Sequence, residues 1–328
     1  MRFFLIVCMM MVAGCDNFSE DVQESPHKDH IVSGSAVKAP WVNAQVQLYE
    51  LDLSKPDFLG RLVTTGKTDW QAKFEGVTIP DLTRHYILVV NSTEETVELG
   101  NNAVPMIDTM YSFLPANAFS ENAQDIKLFA TPLTTMAVKL ATQNADINSG
   151  LYEGNGDGTT TESEWLAAFD TATDVVKSLM GYSLVDDIDI YTQTPVVAHT
   201  SSEENKSDAF HYRLAIEATG ALLQHLANDT DSNTLLNDVL SDMADGKIEG
   251  AQYYQLEDVN RFSQALMTQP IVNGGEKTLS DLGEYLQVEA QSINIDDDFS
   301  PQQLPQMLTQ YYVVDVDNDV ILQGDRIS

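Results

Sequence analysis

The chain has 328 residues, with 17 Lys and Arg against 50 Asp and Glu and a formal net charge of -33. A negative surplus of this size repels phosphate backbones and anionic headgroups, which excludes nucleic acid and electrostatic membrane adsorption and favours cations as partners. Hydrophobic residues make up 43% of the sequence, over a length greater than one average domain, so two folded units are expected rather than a disordered acidic polymer.

The first fourteen residues read as a signal peptide. Arg2 supplies the positive n-region, and the apolar run Phe3 to Val12 is too short to span a bilayer of roughly 30 Å as a helix. It ends in Val12-Ala13-Gly14-Cys15, which resembles the lipobox of bacterial lipoproteins: a branched apolar residue, two small ones, then the cysteine that receives the lipid. The resemblance implies cleavage before Cys15, acyl chains on Cys15 and a place in the bacterial cell envelope, facing the periplasm or the cell surface. In enterobacterial lipoproteins an aspartate after the lipidated cysteine retains the protein in the inner membrane, and Asp16 occupies that position. Cleavage also removes Cys8, so the mature chain has no second cysteine for an internal disulfide, and packing must stabilise it, with metal as a possible aid. Residues 15–30 are polar and lack apolar periodicity, as a tether would. His27 and His30 within it have a spacing that either chelates a metal on a helix turn or marks two solvated histidines.

From residue 31 to about 100 the pattern becomes short runs of β-branched and aromatic residues separated by Gly, Pro, Asn and Asp, which predicts antiparallel strands in a sandwich. The runs Val32-Ser33-Gly34-Ser35-Ala36-Val37, Ala44-Gln45-Val46-Gln47-Leu48, Thr68-Asp69-Trp70-Gln71-Ala72-Lys73-Phe74 and Tyr86-Ile87-Leu88-Val89-Val90 resemble the carboxypeptidase regulatory-like and collagen-adhesin B-type sandwich domains. That resemblance implies an immunoglobulin- or prealbumin-like sandwich serving as a spacer or binding module. Ala72 stands where those domains have glycine, so another backbone geometry is expected at that turn.

Residues 101–328 carry helical periodicity and most of the acidity, with 36 acids against nine bases, whereas residues 31–100 have nine against six. Thr131-Pro132 is a helix start, with Thr as cap and Pro at the first helical position. Trp165, Phe169, Ala172, Val176 and Leu179 repeat at three and four, as do Phe210, Leu214, Ala218, Ala221 and Leu222, and Leu235, Val239, Leu240 and Met243. Such stripes bury against one another in a bundle. The expected fold is thus multidomain, an N-terminal antiparallel β-sandwich followed by an α-helical, bundle-like domain.

Glu153-Gly154-Asn155-Gly156-Asp157-Gly158-Thr159-Thr160-Thr161-Glu162-Ser163-Glu164 resembles a twelve-residue EF-hand or dockerin-like calcium loop. The resemblance implies calcium ligands at Glu153, Asn155, Asp157, Thr159 (through its carbonyl), Thr161 and Glu164, with Gly158 at the sharp turn. The competing reading is a Gly/Asn/Asp loop before a helix whose acidic first turn, Glu162 and Glu164, suits the helix dipole. A weaker second metal candidate, Asp315, Asp317 and Asp319 with Asp325, resembles Asp-rich thrombospondin type 3 repeats. Its flanks, Tyr311 to Val314 and Val320 to Leu322, read more simply as hairpin strands around an Asp/Asn turn.

The chain has no Gly-x-Ser-x-Gly elbow, no His-Glu-x-x-His and no phosphate-cradling glycine loop, so no catalytic residue is assigned. His211 and His225 fall six and eight residues from Glu217 and do not form a compact ligand set on one helix face. The expected function is a lipid-anchored, calcium-stabilised binding or structural module for a protein or glycan ligand. The alternative is a hydrolase of envelope or extracellular polymer that uses paired carboxylates of the helical part.

Overall fold

The computed structural model describes residues 29–120, 123–182, 184, 187–200, 203–226, 232–247, 271, 277–295, 311–314 and 320–323. An N-terminal region of mostly antiparallel strands is followed by five helices, as expected. The strands are β1 (His30–Gly34), β2 (Trp41–Val42), β3 (Gln45–Leu51), β4 (Leu59–Lys67), β5 (Phe74–Ile79), β6 (Tyr86–Asn91), β7 (Val97–Glu98), β8 (Thr109–Leu114) and β9 (Asp125–Lys127). Helices α1 (Pro132–Asn144), α2 (Glu162–Met180), α3 (Glu203–Leu226), α4 (Ser232–Asp242) and α5 (Leu282–Ser292) follow, then β10 (Tyr311–Val314) and β11 (Val320–Gln323).

Four strands form one sheet in the order β4-β3-β6-β8, and three form another in the order β5-β1-β9, with β2 paired to β7. On β3 the alternation predicted from sequence holds: Val46 and Leu48 are buried, and Gln45 is exposed. All of Tyr86 to Val90 on β6 is buried, because β6 lies between β3 and β8 and both of its faces are covered. The strands continue past residue 100. β8 pairs with β6 along its whole length, and β9 pairs in parallel with β1 through Ile31↔Asp125 and Ser33↔Lys127. Neither short run shows enough alternation by itself to be read as a strand.

The turn at Asp69 keeps a left-handed residue. Ala72 adopts φ 58°, and the Asp69 carboxylate accepts from the N–H groups of Gln71 and Lys73 at 2.8 and 2.9 Å. The alanine therefore occupies the conformation that glycine adopts without steric cost, rather than a different turn.

Helix α1 begins as its sequence predicts. Thr131 caps it, and its hydroxyl and that of Thr134 each accept the other residue's backbone N–H. The same turn docks on β8: Tyr111 N–H donates to Thr135 Oγ1 at 2.9 Å, and Thr134 Oγ1 donates to the Tyr111 carbonyl at 2.6 Å. The predicted stripes on α2, α3 and α4 are buried throughout, from Trp165 to Met243. Strands and helices share one hydrophobic core. Phe58 and Phe113 from the strand region meet Trp165 edge-on, at centroid distances of 5.3 and 5.7 Å, and Phe113 also meets Phe169 at 4.5 Å. Residues 31–100 thus lack β8, β9 and the aromatic lid supplied by α2.

Candidate functional site

Where the β5-β1-β9 sheet meets the segment leading into α3 there is a cavity of about 370 Å³. Its floor comes from Ser33, Gly34 and Ser35, Lys73 to Glu75, Lys127 and Phe129; its wall comes from Thr192 to Thr194, His199, Thr200 and Asn205. The floor depends on Gly34. A Cβ there would lie 1.8 Å from the Leu128 carbonyl oxygen, so only glycine lets β1 pass so close to the chain leaving β9. The irregularity between Val32 and Gly34 in the β1–β5 register falls at the same place.

The polar groups of the floor are ordered. Ser33 Oγ donates to Asp125 Oδ1 at 2.6 Å and accepts from Lys127 Nζ at 2.8 Å, while Lys127 Nζ also reaches Asp125 Oδ2 at 2.6 Å. The Lys127 ammonium, with the Ser33 hydroxyl, holds the Asp125 carboxyl below the usual range. Across the cavity, burial, reinforced by the Lys73 charge, pushes the His199 imidazole down to about 3, so it stays neutral. Its Nε2 is buried without a hydrogen-bond partner among the described residues. Hydroxyls, side-chain amides and one neutral imidazole therefore converge on a cavity whose described lining includes two lysines, Lys73 and Lys127, and one carboxylate, Glu75. Groups that both donate and accept suit a polyhydroxylated or peptide-like ligand. The wall residues Thr192 to Thr194, His199, Thr200 and Asn205 were not singled out from sequence, because Pro195-Val196-Val197-Ala198 breaks their polar character into short pieces.

The calcium-like loop lies elsewhere, between α1 and α2. Its backbone is organised by Asp146, just past the end of α1 and outside the twelve residues predicted. The Asp146 carbonyl accepts from Gly156 N–H at 2.7 Å, and its carboxylate accepts from the N–H groups of Asp157 at 3.1 Å and Gly158 at 2.8 Å. Glu153, the predicted first ligand, instead sits in an isolated bridge with Asn148. Residues 147–153 form a small excursion that separates Asp146 from the loop in sequence but not in space. Gly154 permits this return, since a Cβ there would fall 2.3 Å from the Asp146 carbonyl carbon.

The remaining predicted ligands are engaged within the loop. Asn155 Oδ1 accepts from Asp157 N–H and Asp157 Oδ1 from Thr159 N–H, both at 2.8 Å. Thr161 caps α2, and Glu164 completes the capping box: its Oε2 accepts from the Thr161 N–H and hydroxyl, and its Oε1 from Asn155 N–H. The backbone N–H and then the hydroxyl of Thr161 lower the Glu164 pKa. Among the described residues no three His, Cys, Asp or Glu side chains form a metal-holding group.

Cys15, Asp16 and His27 lie outside the described residues, as do Asp315, Asp317, Asp319 and Asp325. The runs flanking the last four do pair as antiparallel strands, Tyr311↔Gln323 to Val314↔Val320. His30 begins β1, with its Nδ1 2.7 Å from the Ala123 carbonyl. His211 Nδ1 lies 2.9 Å from the Ser207 carbonyl of its own helix. Among the described residues no helix is long and apolar enough to cross a membrane. No protein-family model, no curated protein and no solved structure matches the chain.

Proposed function

We propose that this protein is a bacterial envelope lipoprotein, anchored by acyl chains on Cys15, that acts as a binding module for a polyhydroxylated or peptide-like ligand taken up in the cavity between β1, β5, β9 and the wall at Thr192 to Asn205. The observation that carries this reading is the composition of the described lining: five Ser and Thr residues, two side-chain amides and a neutral His199, with Lys73, Lys127 and one carboxylate, Glu75. A glycosidase-type hydrolase needs two carboxyl groups facing each other across the scissile bond. Among the described lining residues only Glu75 carries a carboxyl group, and this supports the binding reading. Calcium belongs to this reading as a stabiliser of the α1–α2 loop. Asp146 would take the place of the first ligand, Asn155, Asp157 and the Thr159 carbonyl would supply further oxygens, and Glu164 would turn from its cap to the ion.

Two measurements test it. Cys15→Ser should release the protein from the membrane pellet, because the acyl chains hold far more strongly than an acidic surface can; retention equal to wild type removes the anchor. Thr194→Trp should fill the cavity. A panel of envelope glycans and peptides should raise the melting temperature of wild type and not of the variant, and an equal shift in both removes the cavity from the reading.

A further inference from the structure

Five charged residues from both regions meet in the core, far apart in sequence. Lys38, between β1 and β2, runs across α3, with its Nζ 2.9 Å from Glu217 Oε2 and 2.6 Å from the Ile271 carbonyl. The other Glu217 oxygen accepts from Arg213 Nε at 2.6 Å and from Ala39 N–H at 3.2 Å. Arg213 also grips Glu289 of α5 with both terminal nitrogens. Glu98, on β7, completes the group. Its Oε2 accepts from Asn101 Nδ2 at 3.2 Å, the same amide that donates to Tyr285 Oη of α5 at 3.1 Å. Each of the five is at most 2% exposed.

With every member ionised, the group holds three carboxylates against two cations, a buried negative charge that no further cation among the described residues offsets. A proton on one carboxyl restores neutrality. Glu217 is not its site: burial alone would raise its pKa, but Lys38 and Arg213 together lower it. Burial pushes Glu289 up, but each of its oxygens accepts an N–H of the Arg213 guanidinium, and these charged bonds favour its ionised form. Glu98 differs from both, because its Oε1 is buried with no hydrogen-bond partner among the described residues.

We propose that Glu98 carries this proton and that its release loosens the seam where the β2–β7 pair meets α3 and α5, making the junction of the two regions a pH-responsive latch. Among the described residues, the charged and titratable groups around Glu98 are Lys38 before β2, Arg213 and Glu217 on α3, and Tyr285 and Glu289 on α5. Burial raises Tyr285 well above its ordinary range, so it stays a neutral hydroxyl. Burial pushes Glu98 from 4.5 up to about 7, against the pull of Lys38. For a carboxyl raised on folding, the folded chain holds a proton that the unfolded chain has lost. The stabilisation is therefore full below about 4.5 and disappears as the pH rises to about 7.

The test compares full-length wild type with Glu98→Gln, which keeps the shape and removes the proton. Between pH 5 and 7 the folded-to-unfolded ratio of wild type should fall relative to the variant by up to roughly tenfold per pH unit, and the two should run parallel above that window. Amide exchange in wild type, corrected for its intrinsic pH dependence, should quicken at Leu99 and Asn102 above pH 7, before it does at the β3–β6 pairing. The Glu98 carboxyl carbon, followed by NMR in wild type, should titrate near neutrality whether or not any variant folds. Equal pH dependence in Glu98→Gln and wild type overturns the proposal. So does a Glu98 carboxyl already ionised at pH 5, or loss of the pH dependence in Glu289→Gln instead.

Discussion

The molecule has two groups of interacting acids that solve the same electrostatic problem by different means. In the α1–α2 loop, Asp146, Asp157 and Glu164 are at least partly exposed, and backbone N–H groups donate to their carboxylates. At the seam, Glu217 and Glu289 lie in the core and depend on Lys38 and Arg213, with Glu98 left over. Exposed acids tolerate crowding because solvent screens them; buried acids must be counted one against another. Fold stability should therefore depend heavily on the seam and only weakly on the loop, although the loop is far more conspicuous in the sequence.

The largest expected effect follows from removing one cation at the seam. Arg213→Met leaves Glu289 and part of Glu217 uncompensated and should cost about 3 to 5 kcal/mol in denaturant unfolding. Replacing Arg213 and Glu289 together by Met and Leu should cost clearly less than Arg213→Met, since no buried charge is then orphaned; a double variant worse than the single would break the comparison.

Gly220 on α3 gives a second, smaller test. A Cβ there would lie 2.1 Å from Lys38 Cε, and Lys38 is pinned at its far end by Glu217 and the Ile271 carbonyl. Gly220→Ala should destabilise by about 1 to 3 kcal/mol through overpacking, reversing the gain of about 1 kcal/mol that alanine normally brings to a helix interior. A gain in midpoint would show that Lys38 has room to move.

At the loop the expected losses are smaller. Thr161→Ala removes the cap of α2 and should cost about 1 kcal/mol by thermal unfolding, with the transition remaining cooperative. Calcium at about ten times its dissociation constant should add about 1.4 kcal/mol, a rise of a few degrees, and magnesium less. Asp146→Asn and Glu164→Gln should each abolish the difference between the two ions. An equal response of wild type to calcium and magnesium would reduce the effect to charge screening.

Much of the helical frame was legible because it is written locally. The Thr131-Pro132 start and the Trp165-to-Leu179 stripe each depend on residues within a few positions of one another. The sheets were legible only in part. β3 and β6 announce themselves by composition, but β9 is three residues long and becomes a strand only because β1, more than ninety positions earlier, offers it an edge. The loop was found from its glycines and oxygens, yet its organiser was missed, because the excursion at 147–153 moves Asp146 out of the twelve-residue frame. The seam was missed altogether. Its one sequence signal is Arg213 and Glu217, spaced i,i+4 within a stretch of α3 from Ala209 to Leu223 that is buried almost throughout.

By itself, the sequence determined what short-range physics controls: where helices start, which faces are apolar and how acidity divides along the chain. Only the tertiary structure decided which acids lose their water. Lys38 and Glu217 are 179 positions apart, and Arg213 and Glu289 are 76 apart. No periodicity links such residues; they become partners because closing a single core over both regions removes the solvent that would otherwise have kept each charge independent.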